Sequence, residues 1–162
     1  MKMIRMRGSI EPTDNVGKIG SFLEESAHIN QASVFMKHRE CRHIEEIFLF
    51  TVETGGDLAT IDEFIEKEDL RAPSLWELIL SASSISYMIG EEEWLRSMII
   101  SKDPYHIDYD KDSGLVGIIS KGEKPGKVHY SEYLASLLLY MPSPLRKYFV
   151  YVRYTERVAL AA

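Results

Sequence analysis

The sequence predicts an α+β (mixed α/β) fold, in which a mixed sheet is flanked by helices. Its clearest element is a helix that starts at Ser74, because Ser74 and Glu77 have capping-box spacing and apolar residues recur on one face behind them. Residues 3–10 alternate apolar and basic side chains, which is typical of a half-buried strand. The helical and strand patterns that follow lack the regular βαβ alternation of a parallel, doubly wound sheet.

Composition indicates one ordinary globular domain over residues 1–162, with 45% hydrophobic and 27% charged residues. No apolar run is long enough to span a bilayer, and the basic N-terminus lacks the apolar region of a signal peptide. The single cysteine, Cys41, excludes an internal disulfide and fits a reducing compartment, so we expect a cytoplasmic protein. The net charge of -6 argues against broad, non-specific binding of nucleic acid.

The helix that begins at Ser74 is expected to reach about Gly90 and carries two stripes. The first stripe is apolar and should face the core; it consists of Leu75, Leu78, Ile79, Ala82, Ile85 and Ile89. The second lies on a neighbouring face and consists of Trp76, Leu80, Ser83 and Tyr87. A helix with two such stripes is either buried between layers or shows one face to a partner. The second stripe is therefore the candidate partner-binding surface.

The remaining elements are predicted from shorter patterns. In the first half we expect a helix from Val16, a strand over residues 31–36 and a short helix opened by Thr60 and Glu63. Residues 44–52 fit one helical face, but their aromatic and β-branched composition favours a strand.

The second half of the chain is predicted in the same way. Three glutamates precede residues 94–100 and suit the start of a helix. Residues 105–109 and 115–119 predict a hairpin, and residues 122–127 a second turn. Ser131 is expected to open a helix and Pro144 another, whereas residues 148–154 fit helix or strand.

One segment just before residues 44–52 is basic and contains two histidines. It includes Lys37, His38, Arg39, Arg42 and His43. An ordinary solvated edge has the same composition. Zinc is not favoured at His38, Cys41 and His43, because no second ligand pair exists in the sequence.

Motifs for chemistry are weak. The acidic turn at residues 108–114 lacks the glycine and final acid of a calcium loop, and residues 122–128 lack the spacing of a phosphate-binding loop. No nucleophile, acid–base pair or dinucleotide-binding pattern emerges. The residues therefore favour a binding or regulatory protein over an enzyme, without a metal or cofactor.

Four stretches of this chain resemble stretches of the PRPK-binding protein family, the small subunit of the KEOPS complex, and they occur along the chain in the family's order. They are residues 74–84, 4–10, 29–43 and 155–160, which together cover about a third of the chain. The family usually follows its small-residue pair with a polar Arg or Gln before an isoleucine, whereas residues 83–86 of this chain contain neither Arg nor Gln, and the link over residues 53–72 is longer. The resemblance implies that residues 42–52 are helical, against the composition of that segment.

The same resemblance implies a function. It points to a non-catalytic subunit that binds the small atypical kinase of KEOPS and helps to hold the 3′ end of tRNA during threonylcarbamoyl-adenosine synthesis. The candidate RNA-binding residues are then those of the basic segment, Lys37, His38, Arg39, Arg42 and His43, because basic side chains and stacking platforms bind single-stranded RNA ends. The alternative is a small-molecule-binding regulatory domain, because the first 70 residues also fit a ferredoxin-like βαββα order. A strand at residues 44–52 that pairs with residues 3–10 would favour the alternative.

Overall fold

The computed structural model describes residues 1–10, 42–102, 115–121, 128–134 and 144–155. Its elements, in chain order, are β1 (Lys2–Ile10), β2 (Ile44–Thr51), α1 (Gly55–Glu68), α2 (Leu75–Leu80), α3 (Ala82–Ile89), α4 (Glu91–Leu95), β3 (Ser97–Ser101), β4 (Leu115–Lys121), β5 (Val128–Leu134) and β6 (Arg146–Tyr154). The mixture of helices with a mixed sheet confirms the predicted α+β class. The predicted elements at residues 16, 31–36 and 105–109 lie outside the described residues.

The described strands form one six-stranded sheet in the order β1-β2-β6-β3-β4-β5. Neighbouring strands are antiparallel, except that β3 runs parallel to β6. β3 pairs with β6 only as far as Phe149. Beyond that residue, the backbone of Arg71 lies on the same side of β6 and exchanges two hydrogen bonds with Val152, of 3.0 and 2.7 Å. This bridge keeps the C-terminal half of β6 hydrogen-bonded on both sides.

The sheet separates two apolar cores, because alternate residues of its central strands point to opposite faces. On one face, Phe48 and Phe50 of β2 and Tyr151 of β6 pack beneath helix α1. On the other face, Ile47, Leu49, Val150 and Val152 pack against Leu78, Ala82, Ile85 and Trp94 of helices α2 to α4. We call these the α1 face and the α2–α4 face.

Segment 44–52 is a strand, as its composition predicts, and β2 pairs with β1 from Lys2↔Thr51 to Ile10↔Ile44. The helix implied for this segment by the family resemblance is therefore wrong. The physical reason is burial on both sides: seven of the eight β2 residues are buried, all except Glu45. A strand between two helical layers is mostly apolar, and a mostly apolar segment also fits one face of a helix.

The capping box at Ser74 and Glu77 is present, since each backbone N–H bonds the other residue's side chain, at 2.8 and 3.2 Å. The single helix predicted from there to Gly90 is instead divided at Ser81, whose ψ of -7° departs from helical geometry. The core prediction holds for Leu78, Ala82 and Ile85, which are buried.

Other predicted boundaries are wrong. Helix α1 starts at Gly55, with Thr54 and Asp57 as its capping box, so Thr60 lies inside the helix that it was expected to open. Helix α4 stops at Leu95, and the apolar residues after it form β3 instead of continuing the helix.

The helices predicted from Ser131 and Pro144 are also wrong, because β5 and β6 occupy these positions. In each case strand pairing overrides a local capping signal: β5 pairs with the preceding strand β4, and β6 pairs with β2 and β3.

Candidate functional site

The α1 face carries a fully buried carboxylate, that of Glu46 on β2. Its side chain is 1% exposed, yet it lies in a strand of aromatic and aliphatic residues. Burial of an isolated carboxylate is too costly for a stable fold, so the charge must be compensated. Strand pairing provides the compensation, since Glu46 lies opposite Arg7 of β1 on one side and Arg153 of β6 on the other.

Three guanidinium groups surround Glu46. Arg5 donates from Nε to Oε1 at 2.7 Å and also contacts Oε1 through Nη2. Arg7 donates to the same oxygen from Nε at 3.3 Å. Arg153 donates from Nη1 to Oε2 at 3.0 Å and from Nη2 to Glu68 of α1 at 3.1 Å. Both oxygens of Glu46 are therefore engaged, and we call Arg5, Arg7 and Arg153 the arginine surface.

The arginine surface also covers the aromatic core. The Cζ atoms of Arg5 and Arg153 lie 5.2 and 5.6 Å from the ring centroid of Phe48, within the range of a cation–π contact. Phe48 is buried, while the side chains of Arg5, Arg7 and Arg153 are 45%, 77% and 31% exposed. Arg5 and Arg153 thus cover the Phe48 ring, and all three arginines hold charged groups at the surface, where Glu46 binds them.

The local charge is positive on an acidic chain. Three guanidiniums face two carboxylates, Glu46 and Glu68, which leaves one net positive charge. Each guanidinium has five N–H donors, more than the carboxylates accept. Chemically, such a surface is suited to bind an anion by charge-assisted hydrogen bonds.

A second buried carboxylate, Glu77 of α2, lies on the α2–α4 face with no exposed surface. Its Oε1 accepts from the Ser74 N–H at 2.8 Å and from the Tyr154 hydroxyl at 2.6 Å. Its Oε2 accepts from the Arg42 N–H at 2.7 Å. Glu77 therefore joins α2 to the end of β6 and to the segment that precedes β2.

The environment of Tyr154 fixes its protonation state. Burial, followed by the Glu77 carboxylate, raises the pKa of the Tyr154 phenol far above its ordinary value of 10.0. The guanidinium of Arg42 lies over the Tyr154 ring, 3.8 Å from its centroid. Tyr154 is thus a permanent hydrogen-bond donor to Glu77 across the whole physiological pH range.

The residues of the predicted partner-binding stripe do not share one environment. Ser83 and Tyr87 lie one helical turn apart on α3 and are exposed, with Tyr87 at 84%. Leu80 is half-buried and packs against the α2–α4 core. Trp76 belongs to α2, but its side chain is not among those that the structure describes.

The predicted RNA-binding segment is described only in part. Lys37, His38 and Arg39 lie outside the described residues. Arg42 and His43 are half-buried; Arg42 belongs to the Glu77 network, and the His43 carbonyl accepts a hydrogen bond of 3.0 Å from Thr155. These two residues therefore contribute to the fold as well as to local positive charge.

The arginine surface was not predicted as a site. The alternation of Arg5 and Arg7 was noticed, but it indicated only the outward face of a strand. Glu46 is the one signal in the sequence that points to this surface, because it is an acid in a segment whose apolar pattern predicts burial. A buried carboxylate requires cationic partners. Its partner Arg153 is 107 residues away in sequence, so only the β2–β6 pairing brings the two together.

The part of the chain that the structure describes contains no group of three or more histidine, cysteine or acidic side chains placed to hold a metal ion. Within those same ranges, no helix has both the length and the apolar character needed to cross a bilayer.

Comparisons with known proteins give no match among protein-family models, curated proteins or solved structures. Function is therefore inferred from the geometry of the arginine surface and of the Glu77 network.

Proposed function

We propose that this chain is a regulatory domain that binds a small anionic molecule at the arginine surface. The observation that supports this most strongly is the arrangement of Arg5, Arg7 and Arg153 around buried Glu46. The fold itself restrains these guanidiniums, so little side-chain entropy is lost when they bind an anion. Donors that are preorganised in this way bind an anion more tightly than mobile surface arginines do.

The pairing of β2 with β1 supports the same proposal. A strand at residues 44–51 that pairs with β1 was the arrangement expected for the small-molecule-binding alternative. The kinase-binding alternative expected a helix there. This difference favours the regulatory domain as the first hypothesis.

The proposal is tested by thermal unfolding with a panel of small anions at low ionic strength. We expect an anion-dependent rise in melting temperature that Arg7→Ala abolishes, because a ligand that binds only the folded state stabilises it. Arg96→Ala is the matched control, since Arg96 is also exposed but lies after helix α4. An equal rise in both variants, or none across the panel, would contradict the proposal.

A second candidate is the accessory subunit of KEOPS, with the small atypical kinase as partner and the tRNA 3′ end as a further ligand. The observation that favours it is the exposed pair Ser83 and Tyr87 on α3, since tyrosine is enriched among the residues that contribute most to binding at protein interfaces and Tyr87 is 84% exposed. Co-purification with the kinase, lost on Tyr87→Ala, would support this role. No association between two folded proteins would count against it.

A further inference from the structure

We infer that the ligand of the arginine surface carries a phosphoryl group, which Arg5 and Arg7 bind together. The inference rests on the proposed function and adds the chemical class of the ligand. It follows from which edges of the two guanidinium groups are already used by Glu46.

Arg5 binds Glu46 with one edge only. The two nitrogens in contact with Glu46 are Nε and Nη2, which lie along the same side of the planar guanidinium. The fork formed by Nη1 and the second hydrogen of Nη2 therefore points away from the carboxylate. A fork of this kind binds two oxygens of a planar or tetrahedral anion at once.

Arg7 presents a second fork beside the first. Its contact with Glu46 uses Nε, and its side chain is 77% exposed. Arg5 and Arg7 lie two residues apart on β1, so both side chains project from the same face of the strand. Because both bind Oε1 of Glu46, their guanidinium groups are held next to each other.

Two adjacent forks distinguish between classes of anion. A carboxylate carries one negative charge on two oxygens, and the example of Glu46 shows that it can accept from several arginines at once. A terminal phosphoryl group has three acceptor oxygens and carries about two negative charges at neutral pH, so it offers two adjacent forks more acceptors and more charge than a carboxylate does. A diphosphate adds further acceptors and suits the pair better still.

The overall charge argues for a small phosphorylated molecule over RNA. Binding of a nucleic-acid strand requires contacts between its phosphates and many basic groups. This chain instead has a net charge of -6, and Glu68 borders the arginine surface. A single phosphate or diphosphate needs only the local excess of positive charge at Arg5 and Arg7.

The inference is tested by titration calorimetry of the full chain with pyrophosphate, acetate and a short single-stranded RNA. Arg5→Lys and Arg7→Lys keep the charge but remove the fork, so we expect each to weaken pyrophosphate binding by about tenfold or more. Arg96→Lys is the control and should bind as the wild type does. Arg7→Lys alters a largely exposed side chain, so it keeps the test decisive even if Arg5→Lys unfolds.

The outcomes separate the inference from the proposed function. If acetate binds as tightly as pyrophosphate, and Arg7→Ala abolishes that binding, the phosphoryl inference is overturned. The proposed function would still hold in that case. Unchanged pyrophosphate affinity in both lysine variants, or binding of RNA without pyrophosphate, would also overturn the inference. The absence of binding by every anion would overturn both. Selective pyrophosphate binding that needs both arginines would support both.

Discussion

Arg153 and Tyr154 are consecutive residues at the end of β6, and each binds a different buried glutamate on opposite faces of the sheet. Arg153 donates to Glu46 at 3.0 Å on the α1 face, and Tyr154 donates to Glu77 at 2.6 Å on the α2–α4 face. A buried carboxylate is costly unless it is paired, so each glutamate holds this end of β6 in place. The strand end thereby links the arginine surface to the helical layer behind it.

The Tyr154–Glu77 hydrogen bond should contribute measurably to stability. Tyr154→Phe removes the hydroxyl but keeps the ring that lies beneath Arg42. Oε1 of the buried Glu77 carboxylate therefore loses one of its hydrogen-bond donors. We expect a loss of about 1–3 kcal/mol in the free energy of unfolding, measured by urea denaturation. Tyr87→Phe is the control and should change stability by less than about 0.5 kcal/mol, because Tyr87 is 84% exposed. Equal effects of the two changes would contradict this role for Tyr154.

Alkaline pH should destabilise the wild type more than Tyr154→Phe. The pKa of Tyr154 is raised in the folded state, first by burial and then by Glu77, while the unfolded phenol ionises near its ordinary value of 10.0. Its contribution is therefore complete below about pH 10 and is lost above it, as the unfolded state releases a proton that the folded state keeps. Melting curves from pH 8 to about pH 11 should converge for the two proteins. Parallel curves would show that Tyr154 ionises normally.

Glu46 should be more important for stability than its neighbour Glu45. Glu46→Gln keeps the size of the side chain but removes the charge that three arginines share, and we expect a loss of about 1.5–3 kcal/mol. The loss stays below that of a fully buried ion pair because the arginines reach solvent. Glu45→Gln alters an exposed residue of the same strand and should be nearly neutral in the same denaturation experiment. A neutral Glu46→Gln would mean that the arginines are not held by this charge.

Asp57 should make the start of α1 sensitive to acid. Backbone N–H bonds from Glu53 and Thr54, at 2.9 and 3.0 Å, hold the pKa of the Asp57 carboxyl below its ordinary value of 3.8. Because a lowered pKa stabilises the fold only while the group is ionised, this contribution is present above about pH 4 and is lost as the pH falls through the native pKa. Asp57→Asn should lower the melting temperature at neutral pH, and the gap should shrink below about pH 3. A gap that is independent of pH would contradict the assignment.

Local patterns predicted the elements whose signals agree with their tertiary surroundings. The alternation in β1, the composition of β2 and the Ser74–Glu77 capping box all correspond to observed features. Prediction failed where a local cap competed with strand pairing, as at Ser131 in β5. A capping signal is worth about 1 kcal/mol, and a strand that completes a sheet gains far more from burial and hydrogen bonds.

The candidate site was harder to predict than the fold. Arg5 and Arg153 meet at Glu46 only after β1, β2 and β6 have paired, and no spacing in the sequence encodes that meeting. The exposure of Tyr87 was predictable from helical periodicity, because its position is local to one helix. Contacts between distant strands require the topology, which the sequence pattern alone does not specify.

The most direct test of the arginine surface is nuclear magnetic resonance of the arginine Nε–H groups during titration with pyrophosphate. We predict that the signals of Arg5 and Arg7 shift together and saturate at one ligand per chain, while those of Arg71 and Arg96 remain in place. Arg71 is a useful internal reference because its side chain is 65% exposed and its guanidinium lies near Asp69. Shifts confined to Arg71, Arg96 or Arg42, with Arg5 and Arg7 unchanged, would contradict the proposal that Glu46 and its arginines form the binding site.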